Sequence, residues 1–261
     1  MTRSGTELTR AALQEFLKGG GTLVGEAVGV HGVSAGLLGA LVRTPLSEAA
    51  AIGVGTGLAL AGKAVVVELI DPAGLARAAD VLTDLASLSA RSAGTFRAPL
   101  VILAPHAAVA VPDGIAVGVA GVADDLPGLL RHALASGGPV VVFTTAAALA
   151  DTGAGADVPA LGVSVTRSSG PVTVLAAGDA VRSALACGEA AEVIDLRGPT
   201  ADAAALASAR RTGRVVIVGA PAAALATLNQ NFLSLESPLV ELGPTATPAE
   251  IATAIHFAAT Y

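Results

Sequence analysis

Few residues in this chain are equipped for chemistry, and the most telling is a single glutamate. It lies in Arg43-Thr44-Pro45-Leu46-Ser47-Glu48-Ala49-Ala50, at the head of an apolar, glycine-studded segment. Thr44 suits a helix N-cap and Pro45 a first helical residue. The following stretch, Ala49 to Ala61, carries no charge, which predicts a buried helix. A carboxylate entering such a helix has two readings. It complements the positive end of the helix dipole, or it is an acid kept for work on a ligand. Glu26, in Gly25-Glu26-Ala27-Val28-Gly29, is an ordinary strand-end acid or a second functional carboxyl. His106 follows a Val/Ile-rich run, as a solvent-facing loop residue or a proton carrier. His31 reads as a surface turn residue, and His132 and His256 as partly buried helix residues. No His/Cys/Asp spacing matches a zinc site, so no metal ligand is assigned to this chain. The run Gly53-Val54-Gly55-Thr56-Gly57 falls inside a helix and joins no strand to it. It reads as close helix packing, not as a nucleotide loop.

The elements that must position these groups follow from composition and pattern. Hydrophobic residues make up 53% of 261 and aromatics 2%, so the core is built from Val, Leu, Ala and Gly. A formal charge of −6 without a basic run argues against a polyanion partner. Mean hydropathy is high, at +0.71. Ala49 to Gly62 nevertheless ends at Lys63, short of the ~20 residues a spanning helix needs. The single cysteine, Cys187, forms no internal disulfide, reads as a small core residue, and fits a reducing cytoplasm.

Short Val-rich runs alternate with helical segments, the pattern of parallel α/β sheets. Helices are expected over 7–18, 45–61, 74–89 and 125–135, and strands over 22–25, 64–69, 100–103, 115–119 and 139–143. Residues 151–170, with Asp151-Thr152-Gly153-Ala154-Gly155-Ala156-Asp157 and Arg167-Ser168-Ser169-Gly170, read as a linker. Beyond it strands are expected over 172–176, 192–196, 214–218 and 239–242, with helices over 179–190, 201–212, 222–233 and 248–257. The fold class is therefore α/β in two domains, 1–150 and 171–261, each a mainly parallel sheet flanked by helices.

Several segments in this order carry a family likeness. They are Gly25-Glu26-Ala27-Val28-Gly29, Gly32-Val33-Ser34-Ala35-Gly36-Leu37, the Thr44 to Ala50 run and Ala90 to Ile102. Glu192-Val193-Ile194-Asp195-Leu196-Arg197 and Ser237-Pro238-Leu239-Val240-Glu241-Leu242-Gly243-Pro244 continue it. Together they resemble the beta subunit of thiamine-diphosphate-dependent 2-oxo acid dehydrogenases, in the transketolase-like superfamily. The resemblance implies a pyrimidine-binding domain followed by a transketolase C-terminal-like domain. It implies that Glu48 contacts the aminopyrimidine of thiamine diphosphate and that Glu26 is an interface glutamate near the cofactor. A buried carboxyl suits such a task, since desolvation favours its protonated form. The superfamily's Gly-Asp-Gly and paired-asparagine site for diphosphate is missing; Gly178-Asp179-Ala180 is its nearest fragment. An alpha-type subunit is thus expected to hold Mg2+ and the diphosphate, in an alpha2beta2 heterotetramer located in the cytoplasm.

Two departures qualify the likeness. The family's pyrimidine-stacking aromatic has no counterpart in Leu69-Ile70-Asp71-Pro72-Ala73-Gly74, which leaves Leu69 and Ile70 to pack on the ring. The family's His-Ser-Gln loop is replaced by Ala104-Pro105-His106-Ala107-Ala108, where His106 is the substitute. Leu100, Ala133, Leu134, Ser136 and Gly138 match a monovalent-cation site of some relatives without its side-chain ligands, so no ion is assigned. The expected function is decarboxylation of a 2-oxo acid with acyl transfer or carboligation, favoured over acylation of a lipoyl carrier. The alternative is a catalytically degenerate subunit that scaffolds an alpha-type partner.

Overall fold

The computed structural model of the chain describes all residues except 1, 94, 108, 155–160, 163, 221, 232–234 and 236. The expected linker cluster Gly155-Ala156-Asp157 and the last two residues of the helix expected over 222–233 lie outside the described residues. The chain divides into two compact units, Met1–Leu161 and Gly162–Tyr261.

The first unit contains strands β1 (Arg3–Ser4), β2 (Thr22–Gly25), β3 (Leu41–Arg43), β4 (Val65–Glu68), β5 (Leu100–Pro105), β6 (Ala116–Val119), β7 (Val140–Thr144) and β8 (Thr152–Gly153). Its helices are α1 (Gly5–Lys18), α2 (Glu48–Leu60), α3 (Gly74–Arg77), α4 (Ala79–Arg91), α5 (Asp125–Ser136) and α6 (Ala146–Ala150). Six strands form one sheet in the order β3-β2-β4-β5-β7-β6, parallel throughout. Its strands are apolar on both faces because both are covered. Leu23, Val66, Val101, Leu103, Val140 and Val142 pack with Leu13 and Leu17 of α1 and Leu126, Leu129 and Leu130 of α5. The alternate residues Val24, Val65, Val67, Leu100, Ile102 and Val141 pack with Ile52 of α2 and Leu82 and Leu85 of α4. Phe143 is buried in this core with Phe96 packed against it, while Phe16 packs on the opposite face; Tyr261 is 70% exposed.

Five expectations need correction here. Helix α2 begins at Glu48, not Pro45, because the Ser47 hydroxyl accepts the Ala50 N–H at 3.3 Å and is the N-cap. Helix α2 is also not buried all round: Ala51, Ile52, Gly55, Thr56 and Ala59 face the core, while Val54 and Leu60 are 40% and 45% exposed. Close packing by glycine holds for Gly55 alone. A Cβ there would stand 2.3 Å from Val67 Cγ2, whereas at Gly53 and Gly57 it would meet nothing within 4 Å. The helix expected over 74–89 is broken at Ala78, where the backbone leaves helical geometry (φ −115°, ψ 19°). Within the stretch read as linker, β8 pairs antiparallel with β1, so those residues belong to the first unit's structure.

The second unit contains β9 (Val165–Thr166), β10 (Thr173–Ala176), β11 (Glu192–Asp195), β12 (Val215–Val218) and β13 (Val240–Leu242). Its helices are α7 (Ala180–Ala186), α8 (Ala203–Thr212), α9 (Ala222–Asn231) and α10 (Pro248–Thr260). The sheet order is β13-β12-β10-β11-β9, parallel except for the edge strand β9. Cys187 is half-buried at the end of α7, not a core residue, and His256 on α10 is exposed. The Asp195-Leu196-Arg197 segment is a buried charge cluster. Asp195 is fully buried, Arg167 Nη2 lies 2.7 Å from its Oδ2, and Arg197 Nε lies 3.9 Å from the same oxygen. Arg197 is 1% exposed. Removing one member of a buried ion group strands the remaining charge. Asp195→Ala is expected to cost about 3–5 kcal/mol, read as a lowered urea midpoint of the full chain.

Candidate active site

The carboxyl ends of parallel strands are where an α/β sheet binds ligands, because the chain turns into loops and helix N-termini there. In the first unit, Glu26 follows β2, Leu69 to Asp71 follow β4 and His106 follows β5, all on that edge.

The loop after β2 is pinned by the last residue of β4. Glu68 is 8% exposed. Its Oε1 accepts the backbone N–H groups of Val33 (2.7 Å) and Ser34 (3.1 Å), and its Oε2 accepts the Ser34 hydroxyl. Ser34 Oγ in turn accepts the Gly29 N–H at 3.0 Å. Arg10 closes the loop from outside, its Nε donating to the Val33 carbonyl at 3.2 Å. Burial pushes the Glu68 carboxyl above the usual range, against the bonds from Ser34 and Val33 and the nearby charge of Arg10.

Glu26 leaves β2 at the root of this loop, and Glu48 enters from the first turn of α2. Desolvation raises the Glu26 carboxyl first, the negative charge of Glu48 second; the Ser47 backbone N–H pulls it down. Glu26 Oε1 and the Thr44 hydroxyl are buried without a hydrogen-bond partner among the described residues. Thr44 is tied to the same place, since its N–H donates to the Gly25 carbonyl at 3.1 Å.

Two residues that sequence reasoning missed complete the cluster. Arg77 Nη2 lies 2.9 Å from Glu48 Oε2 and 2.8 Å from Asp71 Oδ2. These bonds hold the Asp71 carboxyl below its usual range and keep Arg77 charged. Asp71 Oδ1 also accepts the Ala73 N–H at 3.0 Å, an Asx turn that opens α3. The Asp71-Pro72 pair ahead of a helical run was the available signal.

The other expected residues are not all brought together. Leu69 is 4% exposed and belongs to the core, while Ile70 is 53% exposed and offers surface at the site. His106 donates its backbone N–H to the Thr144 carbonyl at 2.8 Å, and its ring stands edge-on to Phe143 with centroids 5.6 Å apart. In the order β2-β4-β5 it is two strands from Glu26, roughly 10 Å by strand spacing. His31 is an exposed turn residue whose N–H donates to Ala27. The Ser136 hydroxyl donates to the Ala133 carbonyl at 2.8 Å. Among the described residues no group of His, Cys, Asp and Glu could hold a metal ion, and no helix is long and apolar enough to cross a membrane.

Glu68 generates a pH-dependent prediction. Its folded-state value is raised above 4.5. Its contribution is therefore fully present below that ordinary value and is lost as pH rises through the raised one. Glu68→Gln keeps an acceptor for both N–H groups and cannot ionise. Its urea midpoint is expected to match the native chain near about pH 4 and exceed it near about pH 8. Glu68→Ala leaves the Val33 and Ser34 N–H groups unsatisfied and is expected to cost about 1–3 kcal/mol at either pH.

No protein-family model matches the chain. It is 30% identical to the pyruvate dehydrogenase E1 component subunit beta of Leifsonia xyli subsp. xyli (strain CTCB07) over an alignment of 268 residues, covering 86% of this chain and 79% of the relative. Its fold is similar to a split gene transketolase solved as an inactive beta4 tetramer (TM-score 0.73, 18% identity, 98% of each chain). It is also similar to the 2-oxoglutarate:ferredoxin oxidoreductase of Magnetococcus marinus, solved with 2-oxoglutarate, coenzyme A and succinyl-CoA bound. There the TM-score is 0.71 at 11% identity, over 99% of this chain and 65% of that one.

Proposed function

Since the chain belongs to the family of pyruvate dehydrogenase E1 beta subunits, we propose that it is the pyrimidine-side subunit of a two-component thiamine-diphosphate enzyme acting on a 2-oxo acid. The observation that carries this reading is the pair Glu26 and Glu48 at the carboxyl edge of the first sheet, near enough for the charge of Glu48 to raise Glu26, with a Glu26 oxygen and the Thr44 hydroxyl buried and without a partner among the described residues. Orphaned buried polar atoms are rare and mark a place for a polar ligand. These residues fit the aminopyrimidine end of thiamine diphosphate. Glu48 meets a ring nitrogen, Glu26 keeps a carboxyl proton close by, and Ile70 supplies apolar surface in place of the family's aromatic. Leu69 acts from behind, as a core residue that fixes the Ile70 backbone.

When bound, thiamine diphosphate supplies the electron sink that lets a 2-oxo acid lose carbon dioxide. The chain's own share is to hold and move protons at the two carboxyls and to orient the ring between them. The sequence lacks the family's diphosphate motif, and no group of His, Cys, Asp and Glu among the described residues could hold Mg2+. We assign both to an alpha-type partner, in an alpha2beta2 assembly in the cytoplasm. The outer face of α2 supports such an assembly: Ala50, Gly53, Val54, Gly57 and Leu60 are exposed and uncharged. His106 takes proton-handling work beside the cofactor. Its loop lacks the family's His-Ser-Gln motif, which favours acyl transfer or carboligation over lipoyl acylation.

Two measurements test this. Glu48→Gln in the assembled complex is expected to lower turnover by about 10²–10⁴-fold with folding intact; His106→Ala should cost less. Near-native turnover of Glu48→Gln would leave the scaffolding role in its place. Val54→Lys puts an unpaired charge on the α2 face and is expected to abolish co-purification with the alpha-type chain while leaving the thermal transition unchanged.

A further inference from the structure

Glu48 does not stand alone, and the way it is held has a geometric logic. A single nitrogen, Arg77 Nη2, serves both Glu48 Oε2 and Asp71 Oδ2. Asp71 is itself fixed through both oxygens, one on Arg77 and one on the Ala73 N–H. The guanidinium is thus oriented by the turn that opens α3, independently of Glu48. Gly74 lies between them. A Cβ there would stand 2.3 Å from Glu48 Cβ and 2.9 Å from Cγ, so the Glu48 stem runs flat on the α3 backbone. Gly74 and Arg77 are three residues apart, on one face of the turn. A side chain at 74 would push the Glu48 carboxylate away from Arg77. Glu48 is 15% exposed, whereas Arg77 and Asp71 are each 49% exposed, so the pair is anchored from its solvent side.

We propose that Arg77 is a positioning residue for Glu48. It holds Oε2 through an Asp71-steadied guanidinium and leaves Oε1 to meet the ligand's ring nitrogen. This rests on the reading of Glu48 as the cofactor-contacting acid. The arrangement also places one cation where carboxyls of three separate elements share its charge: Asp71 after β4 and Glu48 on α2 by direct contact, and Glu26 after β2 through its field.

The test uses the complex assembled with its alpha-type partner and thiamine diphosphate with Mg2+ as the probe. Arg77→Met is expected to weaken thiamine diphosphate binding about three- to fivefold by calorimetry, the range for a part-exposed ion pair. Arg77→Lys should restore much of that loss. Without the cation the three carboxyls face one another uncompensated, so the acid-side limb of the pH profile for kcat should move to higher pH in Arg77→Met. In a Glu48→Gln background, Arg77→Met should have no further effect on affinity, because the two residues act as one unit. A merely structural ion pair would lower the thermal transition and leave affinity, pH profile and coupling unmoved, which overturns the proposal. If Glu48→Gln is inactive while Arg77→Met and Arg77→Lys bind and turn over normally, only the Arg77 role fails. If Glu48→Gln turns over normally, the Glu48 reading fails and the Arg77 role falls with it.

Discussion

The candidate site depends on a buried carboxyl that does no chemistry itself. Glu68 closes β4 and reaches across to the loop that leaves β2, binding two of its N–H groups and one hydroxyl. A parallel sheet sets the spacing of its strand ends but leaves the loops beyond them free to wander. With Glu68 in place, the Glu26 end of one loop and the Asp71 end of the next are tied to adjacent strands through a single side chain. The cost is desolvation of an acid, offset because every oxygen finds a donor and because the neutral form is favoured inside.

Four groups on this edge divide the charge between them. Arg77 neutralises the Asp71–Glu48 side, while Glu26, repelled by Glu48 and stripped of water, is driven toward its neutral form. A carboxyl driven toward its neutral form can donate a proton at a pH where an ordinary acid has lost its own. Glu48, by contrast, is reached by an arginine lying half in solvent.

Much of the fold was legible because its signals are local. Val-rich runs located β2, β4 to β7 and β10 to β13 within a residue or two, but not the short strands β1, β3, β8 and β9. Missed features came from contacts between separate elements. Glu68 looks like one more residue of a strand, and Arg77 like one charge on a helix; their partners lie 34 to 35 and 29 residues away in sequence. The sequence pointed to Thr44 as the N-cap because Ser and Thr both cap helices and Pro45 suits a first helical position; the backbone geometry places the cap at Ser47. The α2 glycines were read as one packing motif, but a helix shows different faces to its neighbours. Gly55 meets the sheet and Gly53 and Gly57 do not.

A core assembled from Val, Leu and Ala has an optical consequence. The chain has no tryptophan and a single tyrosine, Tyr261, which stands largely in solvent. Indole and phenol dominate near-ultraviolet absorption and dichroism in most proteins, and chirality is imprinted on a ring only when its surroundings hold it still. This protein is therefore almost dark in that window. A heteroaromatic ring fixed at the carboxyl edge of the first sheet would be seen against nearly no background from this chain, so its orientation and protonation could be followed directly.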